Sequence, residues 1–358
     1  MVLNHTDVLY NAALLVMDVA YLSGVRRDRG RAMVWGGIAI GVVAMAVGAK
    51  LAAWGDGGGF FATMRMLAWG LFVHGPLVLA GAAVLARSTL RIDAIVCAVL
   101  AVAVALVGIE AFLVGPYRFE VRFVRLESPK LTKPVRIAVV TDIQTDQVGD
   151  WERRCLTEAM ACRADLILLP GDYIQVDDAE RRAVEVRALN ALVREVGLDA
   201  PLGVYAVRGN IEGYPEWTRI FDGTRVERAD YTRVYDAGEL RIVAIDLFDS
   251  FNTLLSIGRS ARFQIAFGHA PDFALGGIEA DLLVAGHTHG GQVRLPFLGP
   301  LVTFSSVPSA WASGTTDLGD GRTLVVSRGL GMERGAAPRL RFNCNPELVV
   351  IDVVPAAK

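Results

Sequence analysis

Cysteine and histidine are scarce in this chain, and their scarcity excludes some kinds of site. The four cysteines include no CxxC pair, so the sequence contains no zinc-ribbon pattern. Cys155 and Cys162 are separated by about 10 Å of helical rise on a predicted helix, which is too far for a disulfide. We therefore expect free thiols. Of the five histidines, His269, His287 and His289 follow neighbouring apolar runs in glycine-containing loops, and this clustering indicates a common role.

Long basic stretches are also missing. No stripe of Lys and Arg interleaved with aromatic residues occurs, which argues against nucleic acid as a partner. Residues 1–116 contain eight basic and six acidic residues, whereas residues 117–358 contain 28 and 32. With 53% hydrophobic residues, the chain is too apolar for an ordinary soluble enzyme. The sequence therefore predicts a transmembrane region at 1–116 and a soluble domain at 117–358.

The predicted membrane region contains four apolar segments. Residues 32–49, 66–86 and 94–114 are predicted transmembrane helices, because each is close to the roughly 20 residues that a bilayer requires. Residues 8–22 include Asn11 and Asp18 and fit either a spanning or an interfacial helix, so the bundle has three to four helices. Four arginines crowd the first loop, which the positive-inside rule places in the cytoplasm. The soluble domain is then predicted on the outer side of the cell (inner) membrane.

From residue 117 onward the pattern changes to alternating strands and helices. Residues 117–123 alternate apolar and charged side chains, which is typical of a strand with one wet face. Three later strands each end in a polar tip, and a helix is predicted after each tip, near residues 150–163 and 178–196 for the first two. Short strands dominate the second half. We predict an α/β sandwich of mixed β-sheets flanked by helices, with one rim that holds Asp142, Asp172, Asn210, His269, His287 and His289.

The side chains at this predicted rim form a plausible metal-binding set. Carboxylate and amide oxygens with imidazole nitrogens, and no thiolate, suit divalent first-row metals. Each Gly-Asp or Gly-Asn pair alone is ordinary turn chemistry, so the inference depends on the ordered set. An aspartate shared by two metals about 3.5 to 4 Å apart would clamp a phosphoryl group and generate hydroxide near neutral pH. The set predicts a metal-dependent hydrolase of phosphate esters.

The order of these motifs resembles that of the calcineurin-like metallophosphoesterases, over roughly residues 117–354. The matching motifs are Asp142-Ile143-Gln144, Gly171-Asp172, Gly209-Asn210, Gly268-His269 and Gly286-His287-Thr288-His289. The stretches 286–300, 327–331 and 338–348 are similar to a membrane-associated bacterial branch of phosphodiesterases in that family. The resemblance implies two divalent metal ions (Mn, Fe, Zn or Mg). It implies that Asp142, Asp172 and His289 bind one, that Asp172, Asn210, His269 and His287 bind the other, and that Asp172, Asn210 and His287 are the candidate catalytic residues.

Two positions depart from the family pattern. Gln144 stands where the family usually has a histidine, and it could offer its amide oxygen to a metal or hydrogen-bond a metal-bound water. Ile211 stands where a histidine usually follows Gly-Asn, which removes a group that would stabilise the transition state or protonate the leaving group. The substrate could therefore have a good leaving group, as in the family's UDP-diacylglucosamine hydrolases, or Glu212 or Arg208 could supply the missing function.

These observations predict a membrane-anchored phosphoesterase that hydrolyses a phosphate monoester, diester or diphosphate by metal-activated hydroxide. A phospholipid or lipid diphosphate is the hypothesis for its substrate, because the domain would lie beside the bilayer. The alternative is a catalytically weakened sensor module that binds metal and ligand and is coupled to the membrane helices. A transporter is disfavoured, since Asp18 and Glu110 are the acidic residues in or near the span interiors.

Overall fold

The computed structural model describes residues 4–55, 57, 59–213 and 216–357. Met1 and Lys358, the outer ends of the two predicted domains, lie outside this part of the chain. The chain divides into two compact units, one of residues 1–114 with 336–339 and one of residues 115–335 with 340–358.

The first unit is built from four apolar helical runs, each long enough to cross a membrane. They are α1 (His5–Arg27), α2 (Arg31–Gly55), a run that joins α3 (Phe60–Trp69) to α4 (Gly75–Ala86) through a π-helical turn at Gly70–His74, and α5 (Arg91–Ile109), which continues into a second π-helical turn at Glu110–Val114. The segment 8–22, for which two states were expected, lies within α1 and is part of a helix of spanning length. All four predicted apolar segments are therefore helical.

Polar side chains inside these helices bind one another. His74 lies between Asp18 and Asn11, with Nδ1 2.5 Å from Asp18 Oδ2 and Nε2 3.1 Å from Asn11 Oδ1. Arg65 forms a buried ion pair with Asp7 at 3.0 Å. Pairing of this kind offsets the cost of placing polar groups among apolar helices, so these residues contribute to packing of the bundle.

The second unit contains sixteen strands in its described residues. In chain order the elements are β1 (Glu120–Ser128), β2 (Val135–Val139), α6 (Asp150–Ala161), β3 (Leu166–Leu169), α7 (Ala179–Val196), β4 (Val204–Val207), α8 (Glu216–Arg219), β5 (Val226–Ala229), β6 (Arg233–Ala237), β7 (Leu240–Ala244), α9 (Leu247–Ser250), β8 (Ser256–Ile257), β9 (Phe263–Phe267), β10 (Gly277–Ile278), β11 (Leu282–Ala285), β12 (Arg294–Leu295), β13 (Gly299–Pro300), β14 (Gly314–Gly319), β15 (Arg322–Val326) and β16 (Glu347–Pro355).

Two six-stranded mixed sheets form the sandwich. The first has the order β1-β16-β2-β3-β4-β5 and the second β14-β15-β11-β9-β7-β6. Strands β2 to β5 run parallel, as do β15, β11, β9 and β7. Along β2, Ile137 and Val139 enter the core between the sheets, whereas Ala138 faces the core under α6 and α7. The predicted α/β sandwich of mixed sheets is confirmed.

Three details differ from the sequence expectation. Tyr117 lies in a short 3₁₀ helix before β1, and Phe123, expected on the dry face, is 64% exposed, because Val124 and Leu126 are the residues that pack against the core between the sheets. The helix expected after the third strand is only the single turn α8. The outer face of the second sheet is covered by short segments such as the 3₁₀ helix Pro271–Leu275, whereas the long helices pack on the first sheet. All four cysteines are free, as predicted.

Candidate metal centre

The predicted site residues come from the carboxyl ends of five strands in the two sheets. Asp142, Asp172 and Asn210 follow β2, β3 and β4 of the first sheet, and His269 and His287 follow β9 and β11 of the second. His289 lies two residues beyond His287 on the same loop. Because parallel strands end at one edge of a sheet, both sets of side chains reach the same edge of the sandwich. The structure brings together in this region all six of the candidate site residues that the sequence predicted at one edge.

Several of these residues have a left-handed backbone. The φ angles are 49° for Asp142, 58° for Asp172, 67° for His287 and 46° for His289, and Gln144 has 36°. A residue other than glycine adopts the left-handed backbone region at a cost of about 1 to 3 kcal/mol. Five strained residues at one site indicate that side-chain placement there outweighs local backbone preference.

One group of ligand atoms surrounds the Nε2 atom of His269. Its Nδ1 lies 3.1 Å from the carbonyl oxygen of Pro170, which can only accept, so Nδ1 carries the proton and Nε2 keeps its lone pair. That Nε2 lies 2.7 Å from Asn210 Oδ1, 3.1 Å from His287 Nδ1 and 3.4 Å from Asp172 Oδ1. The other nitrogen of His287 donates to the carbonyl oxygen of Phe304 at 3.1 Å. Two imidazole nitrogens with free lone pairs and two side-chain oxygens thus converge, an arrangement that a cation would stabilise with Asp172 in its ionised form.

A second group forms around Asp142 and shares Asp172 with the first. The ligand atoms of Asp142, Asp172 and His289 lie within 4.8 Å of one another, and so do those of Asp172, His269 and His287. His289 Nε2 is 3.8 Å from Asp142 Oδ1, and it is buried without a hydrogen-bond partner in the described residues. The two carboxylates suit a divalent metal ion. Arg341 can only donate and lies 3.2 Å from His289 Nδ1, which puts the proton of a neutral His289 on Nε2, so His289 would have to lose this hydrogen bond to bind a metal through Nε2.

Gln144 is oriented by its own neighbours. Its Nε2 donates to Gln175 Oε1 at 3.1 Å, and Gln175 Nε2 donates to Glu333 Oε2 at 3.0 Å. This chain of amides leaves Gln144 Oε1 fully buried and without a partner in the described part of the molecule. Both roles considered for Gln144, metal ligand and acceptor from a bound water, use this oxygen.

Burial shifts the pKa values across the site. Desolvation raises the pKa of Asp142 to about 7 and that of Asp172 well above its ordinary value, and the neighbouring carboxylates raise the pKa of Asp172 further. Desolvation also lowers the pKa values of His269, His287 and His289, which keeps the imidazoles neutral. A metal ion requires neutral imidazoles and ionised carboxylates as donors. The imidazoles here are already neutral, and a bound metal ion would stabilise the ionised forms of the two carboxyl groups.

Glu212, one candidate for the missing histidine's function, is turned away from that role. Its carboxylate accepts hydrogen bonds from the backbone N–H groups of Asp172 (3.1 Å), Tyr173 (2.5 Å) and Gly209 (2.8 Å). The residue is buried, and desolvation raises its pKa to about 7. Glu212 therefore ties the loop of Asp172 to the loop of Asn210 and acts as a positioning residue.

Arg208, the other candidate, is a cation without a carboxylate partner. Its guanidinium carbon lies 5.5 Å from the ring centroid of Phe248, and the side chain makes no hydrogen bond or ion pair in the described residues. It borders a cavity of about 240 Å³ that is also lined by Trp217 and Asp246. A second carboxylate, that of Asp230, lines the same cavity, and none of the proposed metal ligands does.

The sequence reasoning missed Gln175, Glu333 and Arg341. Arg341 is fully buried, and its Nη2 lies 3.2 Å from His289 Nδ1 and donates to the carbonyl oxygens of Arg328 and Gly331. An arginine between two apolar residues, Leu340 and Phe342, was the available signal for Arg341. Gln175 and Glu333 lie in loops without a pattern, so no local signal pointed to them.

Comparisons with known proteins identify relatives of the second unit. The family described as calcineurin-like phosphoesterase matches residues 135–291. The metallophosphoesterase YkuE of Bacillus subtilis is 31% identical over 202 residues, which is 52% of this chain and 67% of YkuE. The phosphodiesterase YaeI of Escherichia coli is 37% identical over 75 residues, which is 21% of this chain and 25% of YaeI. A metallophosphoesterase of Aquifex aeolicus is 25% identical over 267 residues, covering 68% of this chain and 97% of the relative.

Among solved structures, the E. coli phosphoesterase YfcE covers 57% of this chain and 85% of its own at 15% identity, with a TM-score of 0.29, a value too low to show a shared fold. The family match and the similarity to YkuE agree with the resemblance found in the motifs. The prediction of a metal-dependent hydrolase of phosphate esters is confirmed at the level of the family. The chain therefore belongs to the calcineurin-like metallophosphoesterases.

Proposed function

We propose that this chain is a membrane-anchored phosphoesterase that hydrolyses a phosphate monoester, diester or diphosphate with two divalent metal ions. The convergence of ligand atoms from both sheets on two groups that share Asp172 carries the proposal. In it, Asp142, Gln144, Asp172 and His289 hold one ion, and Asp172, Asn210, His269 and His287 hold the other. Such ions polarise a phosphoryl oxygen and lower the pKa of water.

The neighbouring side chains define what the protein itself contributes. Pro170 and Phe304 fix the tautomers of His269 and His287 through their carbonyl oxygens. Ile211 donates its backbone N–H to Asp172 Oδ1 at 3.2 Å, but its side chain has no proton to give a leaving group. The absence of this proton donor favours diphosphates and other esters whose leaving groups need little protonation.

Four helices of spanning length support a membrane anchor. The arginines of the first loop support a location of the phosphoesterase domain outside the cytoplasm, by the positive-inside rule. A domain anchored there would meet lipid-linked phosphates, and for this reason we include phospholipids and lipid diphosphates among the substrates. A reporter that is active only outside the cytoplasm, fused after residue 358, tests the orientation, and a silent reporter contradicts it.

Hydrolysis of an aryl phosphodiester by the full-length protein in lipid nanodiscs tests the function. We expect turnover with Mn²⁺ that is abolished by a chelator and restored by metal. Asp172→Asn removes the shared charge while keeping a residue that tolerates φ of 58°, and it should lower kcat/KM by about 100-fold or more. Asp320→Asn is the matched control, because Asp320 has a similar φ of 52° on an exposed turn.

Metal analysis of the same samples distinguishes the alternative, a metal- and ligand-binding sensor module, which the missing proton donor at Ile211 favours. Two bound metal ions with turnover support the enzyme. One ion or none, with phosphate binding but no turnover under any metal, supports the sensor and contradicts the proposed hydrolase.

A further inference from the structure

An exposed apolar segment follows the loop of His287 and His289. Phe297 is fully exposed, and Leu298 and Leu301 are 73% and 62% exposed. From residue 295 to residue 316 the chain contains no charged residue. Exposed clusters of large apolar side chains are uncommon on soluble surfaces and usually mark binding sites.

This apolar segment is held in place and is not a frayed loop. Strands β12 and β13 pair as a hairpin, and Gly291 allows the close approach of Pro300 at its base. Beyond the hairpin, Ser305 Oγ and the N–H of Ser306 donate to the carboxylate of Asp272 at 2.5 and 2.8 Å. The fold therefore presents these apolar side chains to solvent in a defined position.

Phe297 occupies the tip of this hairpin with a φ of 67°. Glycine or asparagine adopts the left-handed region at lower cost than an aromatic residue, and either would remove an exposed ring from water. Neither backbone geometry nor packing in the described residues favours phenylalanine here. The cost of this residue to the isolated fold points to a function of its ring.

A second exposed apolar segment borders the metal centre from the other side. It begins at α9 and presents Phe248, Phe251 and Leu254, of which Leu254 is 87% exposed. The ring of Phe251 lies 5.0 Å from that of His287 and 6.5 Å from that of His269.

The two segments meet at His287. The carbonyl oxygen of Phe304, at the end of the hairpin segment, accepts from His287 Nε2, while the ring of Phe251 packs against the same imidazole. We call the exposed side chains of Phe297, Leu298, Leu301, Phe248, Phe251 and Leu254 the apolar rim. Phe251 is the member of the apolar rim that contacts the candidate metal centre, and Phe248 packs against the guanidinium of Arg208, so the ester group of a phosphate bound at the centre would lie beside a largely apolar surface.

We propose that the apolar rim binds the hydrocarbon chain of a lipid phosphate whose phosphoryl group occupies the metal centre. The inference rests on the proposed function and narrows its substrate class to esters with an acyl or prenyl chain. A chain segment without charged residues that exposes Phe297, Leu298 and Leu301 suits hydrocarbon, since a nucleotide or sugar phosphate would need polar partners there.

A series of alkyl p-nitrophenyl phosphates, from methyl to hexyl, tests the rim with a constant leaving group. With the full-length protein in nanodiscs and Mn²⁺, kcat/KM should rise with chain length by up to about fourfold per methylene group. Phe297→Asn, which suits the backbone, should flatten this dependence. Val184→Gln, a change at a half-exposed residue of α7, is the matched control and should keep the wild-type slope. Partition into the nanodisc is the same for all three proteins.

Calorimetric binding of non-hydrolysable alkyl phosphonates of the same lengths makes the test independent of turnover. Affinity that rises with chain length and depends on Phe297, without any hydrolysis, would support the rim and contradict the phosphoesterase. Hydrolysis with equal kcat/KM at all lengths, or with the same slope in Phe297→Asn, would overturn the rim and leave the phosphoesterase standing. A dimer detected by light scattering that Phe297→Asn dissociates, with no effect of chain length, would assign the surface to a second copy and overturn the proposal.

Discussion

Replacing Glu212 by glutamine should loosen the metal centre although Glu212 is not a proposed ligand. Its Oε2 accepts from the amides of Asp172 and Gly209, and its Oε1 accepts from the amide of Tyr173. In Glu212→Gln one of these oxygens becomes an NH₂ group, which cannot accept. The glutamine side chain can place its NH₂ group in either oxygen position. The position of Oε1 costs only one hydrogen bond, and it leaves the buried amide of Tyr173 without an acceptor.

Two opposing effects determine how much free energy the substitution Glu212→Gln costs. A hydrogen bond to a charged group contributes about 1.5 to 3 kcal/mol, and an unsatisfied buried donor costs about 1 to 3 kcal/mol. Removal of a buried negative charge near Asp172 gives a gain. That gain is small near neutral pH, because a pKa of about 7 means that the charged and neutral forms of Glu212 have similar free energies there. We therefore expect a net loss of about 2 kcal/mol in the free energy that holds the two loops together, which lowers the affinity for Mn²⁺ by at most roughly 30-fold, the value reached when the whole loss falls on the metal-bound state.

Calorimetric titration of the metal-free, full-length protein with Mn²⁺ measures this loss, and hydrogen exchange at the amides of Tyr173 and Gly209 locates it. Glu227→Gln is the matched control, because Glu227 is exposed on β5. Wild-type affinity together with wild-type protection of both amides in Glu212→Gln would refute the assignment of Glu212 as the tie between the two loops.

Two further predictions concern the leaving group and pH. Ile211→His should raise kcat/KM for an alkyl ester with a poor leaving group, by at most about 10² to 10⁴-fold, and change little for an aryl ester; equal effects on the two substrates would contradict the role assigned to this position. Burial raises the pKa of Asp142 to about 7, so below that pH a metal ion must displace a proton. The pKa of Asp172 is raised as well, so calorimetry should show Mn²⁺ affinity that rises by about tenfold per pH unit for each proton displaced and does not depend on Asp142 alone. A flat profile between pH 5.5 and 8 would contradict this prediction.

The elements that could be predicted from the sequence are those with a local signal. Period-two and uninterrupted apolar runs located the strands that precede Asp142, Asp172 and His287, and parallel topology then required their ends to meet. The predicted apolar face of β1 is confirmed at Phe119 and Val121, which pack against the core under the helices. The prediction was wrong in giving the strand one wet face, because Val124 and Leu126 on the other face pack between the sheets. Phe123 lies on the helix side beyond the reach of the helices and remains exposed.

Contacts between distant loops could not be predicted. Glu212 was expected to be able to supply the missing catalytic function, since nothing in the sequence shows that its carboxylate accepts from two backbone amides of the Asp172 loop and from that of Gly209 in its own loop. The orientation of Gln144 depends on Gln175 and Glu333, which are separated from it by 31 and 189 positions in the chain. Such contacts depend on tertiary packing, which leaves no periodicity in the sequence.

The division of the candidate ligands between the two sheets has a mechanical consequence. Asp142, Asp172 and Asn210 are carried by the first sheet, and His269, His287 and His289 by the second, so ions held by both sets would cross-link the sheets at one edge. The core between the sheets consists of apolar side chains, whose packing is non-directional. Bound metal ions would therefore fix the position of one sheet relative to the other at the edge where the ester binds.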